Sequence, residues 1–136
     1  LTAGKKTGGR SRTGSCTWVI PANPRYYDLE EAFGESDTIT WKQGRGIRAG
    51  DTVLIYMAAP VSSILYMCYV LETDIPYSFD DGKIRMDHIM RLKLQQRFPA
   101  DALTREKLRE CDIASVRSPR YATDSLLREV SRLTGR

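Results

Sequence analysis

Cysteine, histidine and long apolar runs are all scarce in this chain, and each scarcity closes off a class of function. The three cysteines stand far apart at Cys16, Cys68 and Cys111. Their odd number and the lack of a C-x-x-C pair argue against a disulfide framework and against zinc. They read as reduced, buried thiols. His88 is the one histidine, and no serine or cysteine has neighbours that suggest a nucleophile. The convergent polar groups of an enzyme are therefore missing. No apolar run has membrane-spanning length, and the start lacks the hydrophobic middle of a signal peptide. The expectation is a cytoplasmic, non-catalytic protein with no cofactor, no metal and no membrane partner, monomeric as an isolated domain.

Acid is also missing, but only locally. The chain of 136 residues has a net charge of +4, yet Lys5, Lys6, Arg10 and Arg12 lie in residues 1–15 with no Asp or Glu beside them. Beyond that stretch the basic residues equal the 17 acidic ones, so the folded part is neutral. Rich in Gly, Ser and Thr, residues 1–15 read as a flexible basic linker, and 16–136 as a single domain. Because the first residue is Leu, the expectation is a piece of something longer.

The order of the remaining residues predicts a mixed domain. Cys16 to Ile20 is β-prone and is expected to stop at Pro21. Asn23 followed by Pro24 predicts a short acidic helix ended by Gly34, with Tyr26 or Tyr27, Leu29 and Phe33 inward. Thr38 to Trp41 is a short extended piece. Thr52 to Ala58 and Ser63 to Leu71 are apolar on both faces and predict a central antiparallel hairpin. Turn residues from Thr73 to Gly82 predict a loop that carries Tyr77 and Phe79, with Asp80-Asp81-Gly82 as a hairpin turn rather than a calcium loop. From Ile84, alternation predicts a strand with Ile84, Met86, His88, Met90, Leu92 and Leu94 on its apolar face and Arg85, Asp87, Arg91 and Lys93 on its wet face. A helix over Asp101 to Glu110, a short strand over Ile113 to Val116, and a final helix capped by Thr123 or Asp124 complete the pattern. About five or six strands around a core, with about three peripheral helices, make a small mixed barrel of the α+β class.

The stretch that holds chemistry is Thr40 to Pro60. Trp41 opens a glycine-rich bend in which Lys42, Arg45 and Arg48 place positive charge beside an aromatic face, a combination that can hold a base next to a phosphate. A base platform and a core role are equally open for Trp41, whereas Trp18, beside Val19 and Ile20, reads as core. Gly44-Arg45-Gly46 is no dinucleotide fingerprint, since its third glycine falls late and a strand follows where a helix is required. Arg85, Arg117 and Arg120 join Arg45 and Arg48 as candidates for tracking a nucleic-acid backbone.

Trp18-Val-Ile-Pro-Ala-Asn-Pro, then Trp41 with Arg45-Gly46-Ile47, then Gly50-Asp51-Thr52-Val53-Leu54-Ile55-Tyr56, then Asp74-Ile75-Pro76-Tyr77 resemble the EVE domain. That family belongs to the PUA-like group of small β-barrels, with the ASCH and YTH domains. The resemblance covers about residues 16 to 120. It implies a pocket for a single, often modified, nucleobase. Trp41 falls at the first aromatic wall of such a cage and Asn23 at a polar base contact, with Tyr77 or Phe79 replacing the second wall. Lys42, Tyr56, Ala58 and Ala59 complete the implied pocket. The implied function is a reader of methyl- or hydroxymethylcytosine in DNA, the specificity module of a modification-dependent restriction protein with a fused or associated nuclease. The alternative is an RNA-binding PUA-like module linked to RNA modification or processing.

Overall fold

The computed structural model describes residues 14–25, 28–80, 82 and 85–135, with backbone only at 78–80 and 85–87. The basic stretch 1–13, Tyr26, Tyr27, Asp81 and Ile84 lie outside the described residues. Among the described residues six strands, β1 (Thr17–Ala22), β2 (Thr38–Lys42), β3 (Thr52–Met57), β4 (Ser63–Asp80), β5 (Arg85–Arg97) and β6 (Arg120–Tyr121), are interspersed with three helices, α1 (Leu29–Glu35), α2 (Arg105–Glu110) and α3 (Asp124–Thr134). The strands form one sheet in the order β2-β5-β4-β3-β1-β6. β1 and β3 are parallel, and β3, β4, β5 and β2 are successively antiparallel. The fold is α+β, as the residue pattern predicts, with the expected hairpin of β3 and β4 at its centre.

Each face of the sheet buries its own core. Trp18, Ile20, Val53, Ile55, Met57, Cys68, Val70, Met90 and Leu92 form one cluster with Leu29 and Phe33 of α1. Val19, Leu54, Tyr56, Ile64 and Met67 face the other way, against Leu103, Leu108, Ile113, Leu126 and Val130 from α2, α3 and the segments around them. Alternate residues of β1 and β3 thus feed opposite cores. This is why both strands read as continuous apolar runs.

Several local expectations are corrected. β1 runs through Pro21 to Ala22, since β6 pairs only with Trp18 and Val19 and leaves that side of Pro21 without a neighbour. α1 begins at Leu29 under the cap of Asp28, whose Oδ1 accepts from the Glu31 N–H at 2.9 Å. The Asn23 side chain instead accepts from the Arg25 N–H at 2.9 Å in a local turn. Gly34 lies inside the helix, which ends at Glu35 with Ser36 as its C-cap.

Thr73 to Asp80 is not a loop but the far half of β4, where register shifts absorb the turn residues, including Asp74 at φ 59°. Near His88 the extra residues of these shifts lie on β4, so β5 keeps its alternation there. Met90 and Leu92 are fully buried, while His88 is exposed. α2 starts only at Arg105, because Thr104 caps it through its accepted bond from the Lys107 N–H. Residues 113–116 pair with no strand, and the last strand lies later, at Arg120 and Tyr121. Thr123, not Asp124, caps α3.

Candidate nucleic-acid interface

The glycine bend between β2 and β3 is built around a buried acid. Asp51 is fully buried, and its Oδ1 accepts from the Cys16 N–H at 3.0 Å. Its Oδ2 accepts from the Trp18 indole N–H and from the Arg48 N–H, both at 2.9 Å. One carboxylate therefore ties the start of β1, the Trp18 ring and the bend together with charge-assisted bonds. Gly46, at φ 87°, lies against the tip of that ring, where a Cβ would come within 3.1 Å of Trp18 Cη2. The outer face of Trp18 is covered by Tyr121, with ring centroids 4.2 Å apart and planes at 27°.

The bend also packs on the turn before β6. A Cβ on Gly44 would lie 2.8 Å from Pro119 Cγ, so glycine permits a contact that any side chain would block. This contact brings together two segments, one carrying Arg45 and Arg48 and the other Arg117 and Arg120. Arg45, Arg48 and Arg117 are exposed, and Arg120 is half-buried. Neither Gly44 to Gly50 nor Ala114 to Tyr121 contains a carboxylate. A net-neutral domain thus carries a local surface of four arginines beside an exposed tyrosine.

The strand registers locate the other candidates. Thr38, Lys93, Tyr69, Thr52 and Thr17 lie at one level across the sheet. From that level β1 and β3 run to Ala22 and Met57, while β2 runs the opposite way to Lys42. Trp41 and Lys42 therefore sit at the bend end. Asn23, Ala58 and Ala59 sit at the other, roughly 30 Å away along the strands. The single pocket implied for these residues is not formed.

Trp41, paired with Met90, is half-buried against the first core. Tyr56 belongs to the second core, on the opposite face. Tyr77 is exposed in the far half of β4, near the Gln43–Asp74 pair. There the Gln43 amide donates to Asp74 Oδ1 at 3.0 Å and, with the Thr73 hydroxyl, holds that carboxyl below its usual range. Phe79 and Arg85 take their places in β4 and β5, with side chains outside the described ones.

Three candidates do come together. Tyr56, Ala58 and Ala59 line an open groove of about 210 Å³ with Ser62, Arg105, Leu108 and residues 113–116. It is smaller than the 300 Å³ or more of a typical drug-sized site and suits a fragment such as one base. The segment that walls it continues through Arg117 and Pro119 to Arg120 and Tyr121, so groove and arginine surface share one stretch of chain.

Asp51, Tyr121, Arg105 and Ser115 were not singled out by the residue pattern as site-forming. Asp51 follows Gly50 as any turn acid would, and its burial depends on Cys16 and Trp18 reaching it from 35 and 33 residues away. Among the described residues no group of His, Cys, Asp and Glu is arranged to hold a metal, and no helix is long and apolar enough to cross a membrane.

No family model and no curated protein matches the chain. Solved structures do share its fold. A protein from Rhodopseudomonas palustris is 18% identical, with 88% of this chain and 93% of that one covered at a TM-score of 0.61. A hypothetical protein from Leishmania major is 15% identical, over 89% and 95%, at 0.63. The ASCH protein of Zymomonas mobilis is 12% identical, over 86% and 94%, at 0.59. At these identities the likeness is one of fold, and membership of the EVE family is not shown by it. The chain shares the fold of the ASCH protein of Zymomonas mobilis.

Proposed function

We propose that this chain is a non-catalytic nucleic-acid reader. A strand runs along the arginines of the bend and the 117–120 turn, and one base enters the groove beneath Tyr56. The observation that carries this reading is the contact of Gly44 with Pro119, which gathers four arginines from two acid-free segments and joins them to the groove wall. A base read on its edges must leave the stack, at a cost of a few kcal/mol that stacking and edge hydrogen bonds recover. Ser62, Ser115 and Arg105 supply donors for such an edge, and Ala58 and Ala59 leave room for a substituent.

The finer reading follows the EVE-like motifs: the base is methyl- or hydroxymethylcytosine in DNA, and the module gives specificity to a restriction nuclease fused to it or associated with it. One buried methyl contributes about 0.8 kcal/mol, so a preference of roughly fourfold is the least expected. The test measures affinities for duplexes that differ in one cytosine modification, for wild type and for Ala114→Trp, which fills the groove. Wild type should prefer one modified duplex and the variant should lose that preference while keeping its salt dependence. Equal affinity for all duplexes, tighter binding to RNA, or nuclease activity of the chain itself would overturn the reading.

A further inference from the structure

Among the described residues Tyr121 is the most exposed large hydrophobic, at 45%. A solvent-facing aromatic is usually free to turn, but this one is seated. One ring face lies on Trp18, which is itself only 5% exposed. The Trp18 ring is held at one end by Asp51 and at the other by the backbone of Gly46. Arg120 Nε donates to the Tyr121 carbonyl at 3.5 Å, and Gly44 against Pro119 brings the bend arginines alongside.

We infer that Tyr121 is a stacking platform for an unpaired nucleobase of a strand whose phosphates lie on Arg45, Arg48 and Arg117, at a place separate from the groove. This rests on the nucleic-acid reading proposed above. The ligand class follows from the setting: an exposed aromatic face with Arg120 beside it, on a segment that carries Arg117 and no acid and packs on the bend of Arg45 and Arg48, suits a π-face attached to a polyanion. Every base presents such a face, so the platform holds the strand without regard to sequence. Its stacking on Trp18 leaves less conformational entropy to be lost on binding than an unsupported side chain would lose.

The experiment measures fluorescence anisotropy of two labelled single-stranded probes of about 12 nucleotides, one an oligothymidine and one with abasic sites at its centre, against the unaltered protein. Loss of a stacked base should weaken binding about 5- to 150-fold. Tyr121→Leu, which keeps apolar contact with Trp18, should bind the oligothymidine as weakly as wild type binds the abasic probe, with no change in salt slope. Tyr121→Trp should restore it. Melting temperatures of both variants identify any loss of fold. Equal binding of the two probes by wild type would overturn the platform alone. Binding of neither would overturn the nucleic-acid reading and the platform with it.

Discussion

Trp18 and Asp51 are joined by a buried hydrogen bond of 2.9 Å across 33 residues of sequence. The same carboxylate holds the Cys16 and Arg48 amides, so a single side chain fixes where β1 starts, how the bend folds and how Tyr121 is supported. Asp51→Ala leaves three donors to find other partners. We expect a loss of roughly 3 kcal/mol in urea unfolding, since bonds to charged acceptors contribute about 1.5–3 kcal/mol each and do not add fully. The Trp18 indole proton should lose its protection from exchange before the strand amides do.

The arginine surface predicts a salt effect rather than a change in specificity. Arg45→Ala together with Arg117→Ala should reduce the slope of log affinity against log salt by between about 1.4 and 1.8, at roughly 0.7 to 0.9 for each phosphate contact. The preference among modified duplexes should survive. Titrations at several KCl concentrations check both points, and an unchanged slope would remove these residues from the interface.

Trp41 stands at the end of the sheet away from the groove and packs against the first core. Trp41→Ala should therefore cost about 2 kcal/mol of stability, less than a fully buried tryptophan does, and weaken all oligonucleotides alike. A loss confined to one modified duplex, with the melting temperature unchanged, would return Trp41 to the base site.

The buried Cys68 thiol makes stability depend on alkaline pH. Removal from water pushes it from 9.0 up to about 12. The fold favours the neutral thiol, so this contribution is complete below pH about 9 and declines as pH rises towards 12, by about 1.4 kcal/mol per unit. Burial raises Cys111 in the same direction, and burial followed by the hydrogen bond to Glu30 raises Tyr66. Urea unfolding at about pH 7, 8.5 and 10 should show a plateau followed by a fall, and Cys68→Ala should flatten part of that fall. At pH 8 the folded protein should leave Cys68 unmodified by thiol reagents.

The amino-acid sequence by itself determined the class of the fold, because local patterns report local burial. The two-sided apolar runs of Val53 to Met57 and Ile64 to Val70 marked covered strands, and the stripe of Leu126, Leu127, Val130 and Leu133 after Thr123 or Asp124 marked a helix against a core, although Leu127 is exposed. Trp18 as core was equally legible. Boundaries were less so. Asn23, Pro21 and the turn residues of Thr73 to Asp80 carry signals that pairing with a neighbouring strand, or a better cap at Asp28, overrode.

The site was decided by tertiary structure. Nothing in the order of residues says that β2 runs opposite to β1 and β3, and it is this direction that parts Trp41 from Asn23, Ala58 and Ala59. Likewise Gly44 meets Pro119, and Asp51 meets Trp18, only because β6 and the bend close over the same end of the sheet. Side-chain chemistry is local, but the distance between two side chains depends on how the strands between them pair.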